Sequence, residues 1–432
     1  MNSSRRRFLQ TAGLVTTAAV AQPSSLLTAQ DAASEKNLPE PIAKLRSRKS
    51  EATPITPEER QQRLQRAREL MAEKKLDAIM LSGGTSLVYF SGIHWWLSER
   101  LFAMIVPAKG KPFYVSPAFE EDRAREQIVM GMGQQDAEVR TWQEDESPYQ
   151  GVAQGLKDRG VTVGRFGMEE TVNYVFAAGV AEAAPALHIT SATPVTAGCR
   201  MIKSKHELAL MKLANEVTLA AYEAAYRSTK EGMTQRDFAQ MVSQAHDRQG
   251  FQGGAGVQVG ENSALPHGSA KPQVIREGTI LLMDGGCKVE GYESDISRTV
   301  VLGKPSDKMK KVFDIVQKAQ STALATAKPG VQCQAVDAAA RKVISDAGYG
   351  PDYNHFTHRV GHGIGMDGHE WPYLVRGNTL PLAPNMCFSD EPGIYIRGEF
   401  GVRLEDDMHI TENGAELFTP SSPSLEEPFG KA

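Results

Sequence analysis

Four carboxylates and one imidazole, at Asp284, Asp295, His362, Glu391 and Glu405, each sit inside a short motif in the last third of the chain. Carboxylate oxygens and an imidazole nitrogen are donors that divalent cations accept, so the chemistry in question is that of a dinuclear metal centre. Thr279-Ile-Leu-Leu-Met283 is a buried-strand pattern that ends on Asp284-Gly-Gly286, and Ser294 to Leu302 is a second strand, carrying Asp295. The glycines and Lys288 between them read as a turn that sets the two carboxylates across a hairpin. Aspartate before two glycines also opens ordinary turns, so this pair alone decides nothing.

Val402, Leu404, Met408 and Ile410 alternate with Arg403, Glu405, Asp407 and His409, and Asp406 breaks the apolar side. A half-exposed strand has the same pattern. Phe388-Ser-Asp-Glu-Pro-Gly-Ile-Tyr395 is more pointed: Pro392 holds Glu391 in extended backbone and so fixes the direction of its side chain. His358-Arg-Val-Gly-His362-Gly-Ile-Gly365 offers two histidines at helical spacing, but glycines at 361, 363 and 365 argue against a helix. Arg359 also stands where the helical zinc-protease motif needs a glutamate. An extended, glycine-rich segment instead lets backbone approach a metal closely and presents one imidazole nitrogen.

In this order, Asp, Asp eleven residues on, Gly-His-Gly-Ile-Gly, Glu-Pro-Gly and Val-Arg-Leu-Glu-Asp, the motifs resemble those of the M24 "pita-bread" metallopeptidases, the family of creatinase, methionine aminopeptidase, aminopeptidase P and prolidase. The resemblance implies an α/β (α+β) chain with a creatinase-like N-terminal α/β domain, residues 56–196, before a pita-bread catalytic domain, residues 197–420. It makes Asp284 a ligand of one metal ion, His362 and Glu391 ligands of a second, and Asp295 and Glu405 the bridges. It further implies that His267, His358 and His369 contact substrate or support the site, that Arg403 supports it, and that Glu391 accepts a proton from a water shared by the ions. Two divalent ions cancel four carboxylates that would otherwise repel. The oxygen-rich donor set favours manganese, with cobalt and zinc open.

The expected substrates are peptides with proline in second position, as for Xaa-Pro aminopeptidases and dipeptidases. Methionine aminopeptidases generally lack a large preceding domain, and creatinase lacks the full ligand set. A prolyl nitrogen has no hydrogen, which defeats peptidases that need an N–H contact. Two other readings stay open: a metal-independent amidinohydrolase like creatinase, and a peptide-binding relative without catalysis. Trp371, Tyr373 and Tyr292 flank the motifs and are candidates for a proline pocket or for core. Relatives are commonly dimers or tetramers, which makes a homo-oligomer the expectation.

Upstream, Ser4-Arg-Arg-Arg-Phe-Leu-Gln10 and the mildly apolar Thr11 to Ala21 resemble a twin-arginine export signal over residues 1–29. The reading is export to the periplasm or the extracellular side, with the leader removed or kept as an anchor. This leader is too short and polar to span a membrane as a helix. Residues 30–55 are charged and proline-bearing and read as a linker or mobile arm. Thr56-Pro-Glu-Glu59 starts a helix running towards Lys74, Ala78 to Leu81 reads as a strand, and Leu101–Val106 with Pro112–Val115 reads as a hairpin. Trp95 and Trp96 are candidates for packing, for a dimer interface or for gating a neighbouring subunit's site. Ser204-x-x-Glu207 and Thr234-x-x-Asp237 each announce a helix, and residues 421–432 read as a tail. A net charge of -4 with interspersed signs leaves no footprint for nucleic acid. Cys199, Cys287, Cys333 and Cys387 lie far apart and read as free thiols rather than as a zinc site or disulfide framework.

Overall fold

Thr56 caps the first long helix, Pro57–Lys74 (α1), through a full capping box. Its hydroxyl accepts from the Glu59 N–H, and the Glu59 carboxylate accepts from its own N–H. The chain then enters a six-stranded sheet through β1 (Ala78–Ser82). Its neighbours are β2 (Ala103–Pro107), β3 (Phe113–Pro117), β4 (Val139–Trp142), β5 (Gly164–Met168) and β6 (Leu187–Ser191), in the order β4-β3-β2-β1-β5-β6. The β2–β3 hairpin is antiparallel, as its sequence predicts, while β5 and β6 run parallel to β1. Alternate residues of β1 pack into different cores, Ile79 and Leu81 with α1 residues such as Leu64 and Ala67, and Ala78 and Met80 with Val152 and Phe176. A strand buried on both faces has no polar phase, which is why Ala78 to Leu81 is continuously apolar.

The computed structural model describes residues 38–430, so the twin-arginine leader lies outside the described residues. Residues 38–55, read from their polarity as a linker or mobile arm, are docked on the second domain. Ile42 is fully buried with Tyr222 and Phe238, the Arg48 guanidinium pairs with Glu216 at 2.8 Å, and its N–H donates to Gln249 O. The C-terminal stretch is tied down as well: Leu425 is buried in the core, and Gln317 Nε2 donates to Ser422 O. No helix among the described residues is long and apolar enough to cross a membrane. All four cysteines are free and buried.

The second domain carries two helix pairs around antiparallel sheets. Helices Lys205–Arg227 (α2) and Gln235–Arg248 (α3) both start at the expected capping boxes, on Ser204 and Thr234. They cover a sheet of β7 (Gly253–Val259), β8 (Ile280–Val289) and β10 (Ile296–Val301), with β9 (Tyr292–Glu293) extending the β8 hairpin. Helices Asp307–Thr326 (α4) and Cys333–Ile344 (α5) cover a second sheet. Its strands are β11 (Gly361–Gly363), β12 (Glu370–Leu374), β13 (Cys387–Asp390), β16 (Asp406–Ile410) and β17 (Ala415–Leu417), in the order β12-β11-β13-β16-β17. A hairpin of β14 (Gly393–Ile396) and β15 (Phe400–Arg403) stands beside it, and a bridge between Ser297 and Glu405 stitches the two sheets together.

Tyr292, a sequence candidate for the proline pocket, is instead buried where the domains meet. Arg63 of α1 donates to its hydroxyl at 2.7 Å, to Tyr89 O at 2.8 Å and to Glu207 Oε1 at 3.1 Å, and the Tyr292 hydroxyl donates to Glu207 Oε1 at 2.6 Å. These contacts satisfy a buried cation whose removal from water would otherwise be costly.

Candidate metal centre

Strand β8 explains the first carboxylate. Leu281 and Met283 face α2 and α3, while Ile280 and Leu282 face the core under α4 and α5. Asp284 continues the second phase, at the point where that apolar face gives way to a cavity. The strand does not end there, contrary to the sequence reading. It runs through Gly285 and Gly286 to Val289, and the turn is Glu290-Gly291, both at positive φ, 48° and 88°. A Cβ on Gly286 would lie 1.8 Å from Ser294 O, so the glycine is there for close approach of the partner strand. Asp284 pairs with Ser297 across the hairpin, and Asp295, two residues before Ser297, shares its face. The carboxylates of Asp284 and Asp295 do face one cavity.

The other three groups arrive from the second sheet. His362 is the middle residue of β11, where a Cβ on Gly361 would meet Ser389 O at 2.0 Å and the His362 N–H donates to Ser389 Oγ. Glu391 follows β13 and is held by its N–H on Val360 O at 2.8 Å. Glu405 lies between β15 and β16, and its N–H donates to Ser297 O at 3.2 Å. One donor atom each from Asp284, Asp295 and Glu405 falls within 4.8 Å of the others, and the same holds for His362, Glu391 and Glu405. Asp295 Oδ2 is 3.9 Å from His362 Nε2, so Asp295 and Glu405 stand between the two sets, as the resemblance implies for bridges. A cavity of about 490 Å³ holds all five, together with His267, His358, His369 and Arg403.

His362 Nδ1 donates to Gly363 O at 3.2 Å, which leaves the Nε2 lone pair facing inward. Burial pushes this imidazole down to about 3, so it is neutral. Its Nε2 therefore has no hydrogen to offer Glu391 Oε1, 3.4 Å away. Burial, then repulsion from neighbouring carboxylates, pushes Asp295 and Glu405 well above the usual carboxylate range. Burial likewise raises Glu391 to about 7. Arg403 lies 2.6 Å from Asp284 and 3.9 Å from Glu405, and Arg359 lines the same cavity, so two guanidiniums face four carboxylates. Acceptors aimed at one another and carboxyls forced towards protonation are what divalent cations relieve, so these residues fit a pair of them.

Three supporting residues escaped the sequence reading. Ser297 Oγ accepts from Arg403 Nε at 2.9 Å and lies 2.8 Å from Asp284 and 2.6 Å from Glu405. Its signal was the period of two from Asp295 on the same strand face. Tyr395 accepts from Arg403 at 3.0 Å and stands 2.7 Å from His358 Nε2, while His358 Nδ1 donates to Arg359 O. Asp407, noted only as part of an alternating strand, accepts the Asp295 N–H at 3.0 Å and Asn215 Nδ2 at 2.9 Å. Asp406, the exception on the apolar side, is fully buried in a 2.6 Å pair with Arg298. His369 stacks on His362 with ring centroids 3.7 Å apart, and His267 is exposed at the cavity rim. Trp371 is partly exposed and packs edge-on to Tyr373, outside the cavity lining, where the apolar contributors are Pro266 and Val375.

A two-domain α/β chain with carboxylates and an imidazole gathered from two sheets around one cavity is a metal-dependent hydrolase. Comparison with known proteins narrows the class. Residues 209–412 match the model of metallopeptidase family M24, and residues 63–202 match the creatinase/prolidase N-terminal domain. The Xaa-Pro dipeptidase of Lactobacillus delbrueckii subsp. lactis is 33% identical over 365 residues, spanning 82% of this chain and 96% of that protein. Among solved structures, dipeptidase PepE from Mycobacterium ulcerans superposes with a TM-score of 0.80 at 32% identity, covering 87% of this chain and 99% of that one. The Xaa-Pro dipeptidase from Bacillus anthracis gives a TM-score of 0.73 at 31% identity, covering 85% of this chain and 99% of that one. The chain belongs to metallopeptidase family M24.

Proposed function

We propose that this enzyme hydrolyses the bond between an N-terminal residue and proline, in Xaa-Pro dipeptides or at the start of longer peptides, with two divalent ions held by Asp284, Asp295, His362, Glu391 and Glu405. The observation that carries this reading is the inward-facing lone pair of His362 among mutually repelling carboxylates. The names of relatives that span nearly the whole chain support the substrate class. Bound divalent ions polarise a scissile carbonyl and acidify water. Glu391 accepts the proton of the attacking water, its second oxygen lying 3.6 Å from His358 Nδ1. His369 and His267, on the cavity wall, hold the peptide and steady the tetrahedral oxygen. Arg403 fixes Asp284 and, through Tyr395, the ring of His358. Manganese is the proposed ion, because oxygen donors outnumber the single nitrogen.

The test is amino-acid release from a panel of Xaa-Pro dipeptides and Xaa-Pro-Xaa tripeptides, with manganese-loaded and with chelated enzyme. Release that depends on added metal and on proline in second position is expected. Activity undiminished by a strong chelator would instead favour the creatinase-like reading. Ser297→Ala removes the hydroxyl that spaces Asp284, Glu405 and Arg403 and is expected to weaken metal affinity about 10- to 100-fold. Competition against a chromogenic chelator measures this, and unchanged affinity would remove Ser297 from the site.

Residues 1–29 act, in this proposal, as a twin-arginine leader that delivers the enzyme to the periplasm or beyond, and a homo-oligomer is the working form. Four buried free thiols suit a chain that folds in a reducing compartment before export. Cell fractionation with and without Arg5 and Arg6 tests the route, and light scattering tests the assembly.

A further inference from the structure

His369 stands on the connection between β11 and β12, and the two acidic residues nearest it in sequence, Asp367 and Glu370, are held from outside that connection. Arg200, at the end of the helix Thr193–Arg200 that joins the domains, places the same Nη2 2.5 Å from Asp367 Oδ2 and 2.5 Å from Glu370 Oε2. Lys203 Nζ holds the other Glu370 oxygen at 2.6 Å, and the hydroxyl of Thr85, in the N-terminal domain, donates to Asp367 Oδ1 at 2.5 Å. Arg200 and Lys203 are almost entirely buried, as is Glu370. A Cβ on Gly365 would lie 2.5 Å from Glu370 Oε1 and 3.0 Å from Lys203 Cε, so the backbone closes tightly over the pair.

A buried ion pair adds little net stability over apolar side chains of equal volume, whereas its geometry fixes where the chain can sit. The segment fixed here is the one that carries His369. Its ring is exposed, with His362 stacked against it and Arg359 Nη2 3.3 Å from its Nδ1, and neither neighbour sets how far the backbone reaches into the cavity. The carboxylates on either side of His369, at positions 367 and 370, do set that reach.

We infer that Arg200, with Lys203 and Thr85, is a positioning residue that places His369 against the peptide, and that the N-terminal domain thereby takes part in turnover within its own chain. This rests on the reading above that His369 contacts substrate. A displacement of about 1 Å in such a group can cost up to about a hundredfold in rate.

The experiment is steady-state kinetics of Arg200→Gln, Arg200→Lys, His369→Ala and the double variant Arg200→Gln/His369→Ala, all with full metal loading, on whichever dipeptide the wild type cleaves best. Arg200→Gln is expected to lower kcat/KM about tenfold with two ions still bound. Arg200→Lys, which keeps one cation between the carboxylates, is expected to recover to within about threefold of wild type. His369→Ala keeps measurable activity, since loss of one stabilising donor costs about 10²–10³. In that background Arg200→Gln is expected to cost less than about twofold more, because the residue it positions is gone. A full additional tenfold loss in the double variant would overturn the inference, as would wild-type kinetics in Arg200→Gln. Should Arg200→Gln fail to fold, Thr85→Val takes its place in the same cycle, with a loss of about threefold expected to vanish in the His369→Ala background. A wild type silent on every Xaa-Pro dipeptide and Xaa-Pro-Xaa tripeptide sinks the substrate reading; an additive cycle sinks this one.

Discussion

Glu405→Ala leaves at most about a thousandth of wild-type kcat/KM, a loss of about 4 kcal/mol in transition-state stabilisation. It also brings the divalent metal down from two ions per chain to at most one. Glu405 earns this position because it alone belongs both to the donor group with Asp284 and Asp295 and to the group with His362 and Glu391. With Glu405 as a bridge, as proposed, its removal would cost both ions a contact where removal of an outer ligand would cost one, and would leave Asp284 paired with Arg403. Metal content by mass spectrometry and kinetics at saturating manganese measure the two effects together. Full stoichiometry with turnover within tenfold of wild type would show that the bridging assignment is wrong.

The second large effect is on stability, and it depends on pH. Chelated protein is expected to melt about 5–10 °C below protein in manganese at a hundred times its dissociation constant, where binding contributes about 2.7 kcal/mol. In the chelated form Glu391 is pushed up to about 7 and Asp407 to about 8, both chiefly by burial, and Asp295 and Glu405 are raised too. Unfolded carboxyls titrate near 4, so over the interval between these groups hold more protons in the folded chain than in the unfolded one. These carboxyls contribute stability that is lost as pH rises towards 8, while His246, His358 and His362, held by burial at about 3 to 4, oppose this below about pH 6.5, so the metal-free protein loses stability chiefly from about pH 6.5 to about pH 8. Metal needs deprotonated carboxylates, so its stabilising effect grows over the same interval. Calorimetry at about pH 6.5 and about pH 8 should show the gap between loaded and chelated melting points widening. A gap that narrows, or a chelated protein that gains stability towards pH 8, would contradict this account of the cluster.

The five clustered donors were legible in the sequence because each has neighbours that make sense only if something must come close. Gly361 and Gly363 bracket His362, and Pro392 fixes Glu391. Caps were equally plain, since Thr56, Ser204 and Thr234 each carry their partner three residues on. What could not be read depends on approach from far along the chain. Gly285 and Gly286 look like a turn, but the strand passes straight through them because Ser294 presses against the backbone there. Ser297 and Asp407 look like solvated strand residues until the two sheets meet. Tyr292 sits beside a ligand in sequence and turns away from it, because Arg63 and Glu207 need its hydroxyl. Polarity hid the docking of residues 38–55: Leu38, Ile42 and Leu45 stand at i, i+4 and i+7, but the charged residues and prolines around them outweigh so short a pattern.

That docked arm bears on how the enzyme can be trimmed. A recombinant form begun at Thr56, where the first domain starts by its capping box, would lose Ile42 from beneath Tyr222 and Phe238, a side chain whose burial is worth about 1.5–3 kcal/mol. Arg48 would go with it, and Glu216 and the end of α3 would be left facing solvent. Any trimming of the N-terminus must therefore stop short of Leu38 if the enzyme is to keep the belt that closes its catalytic half.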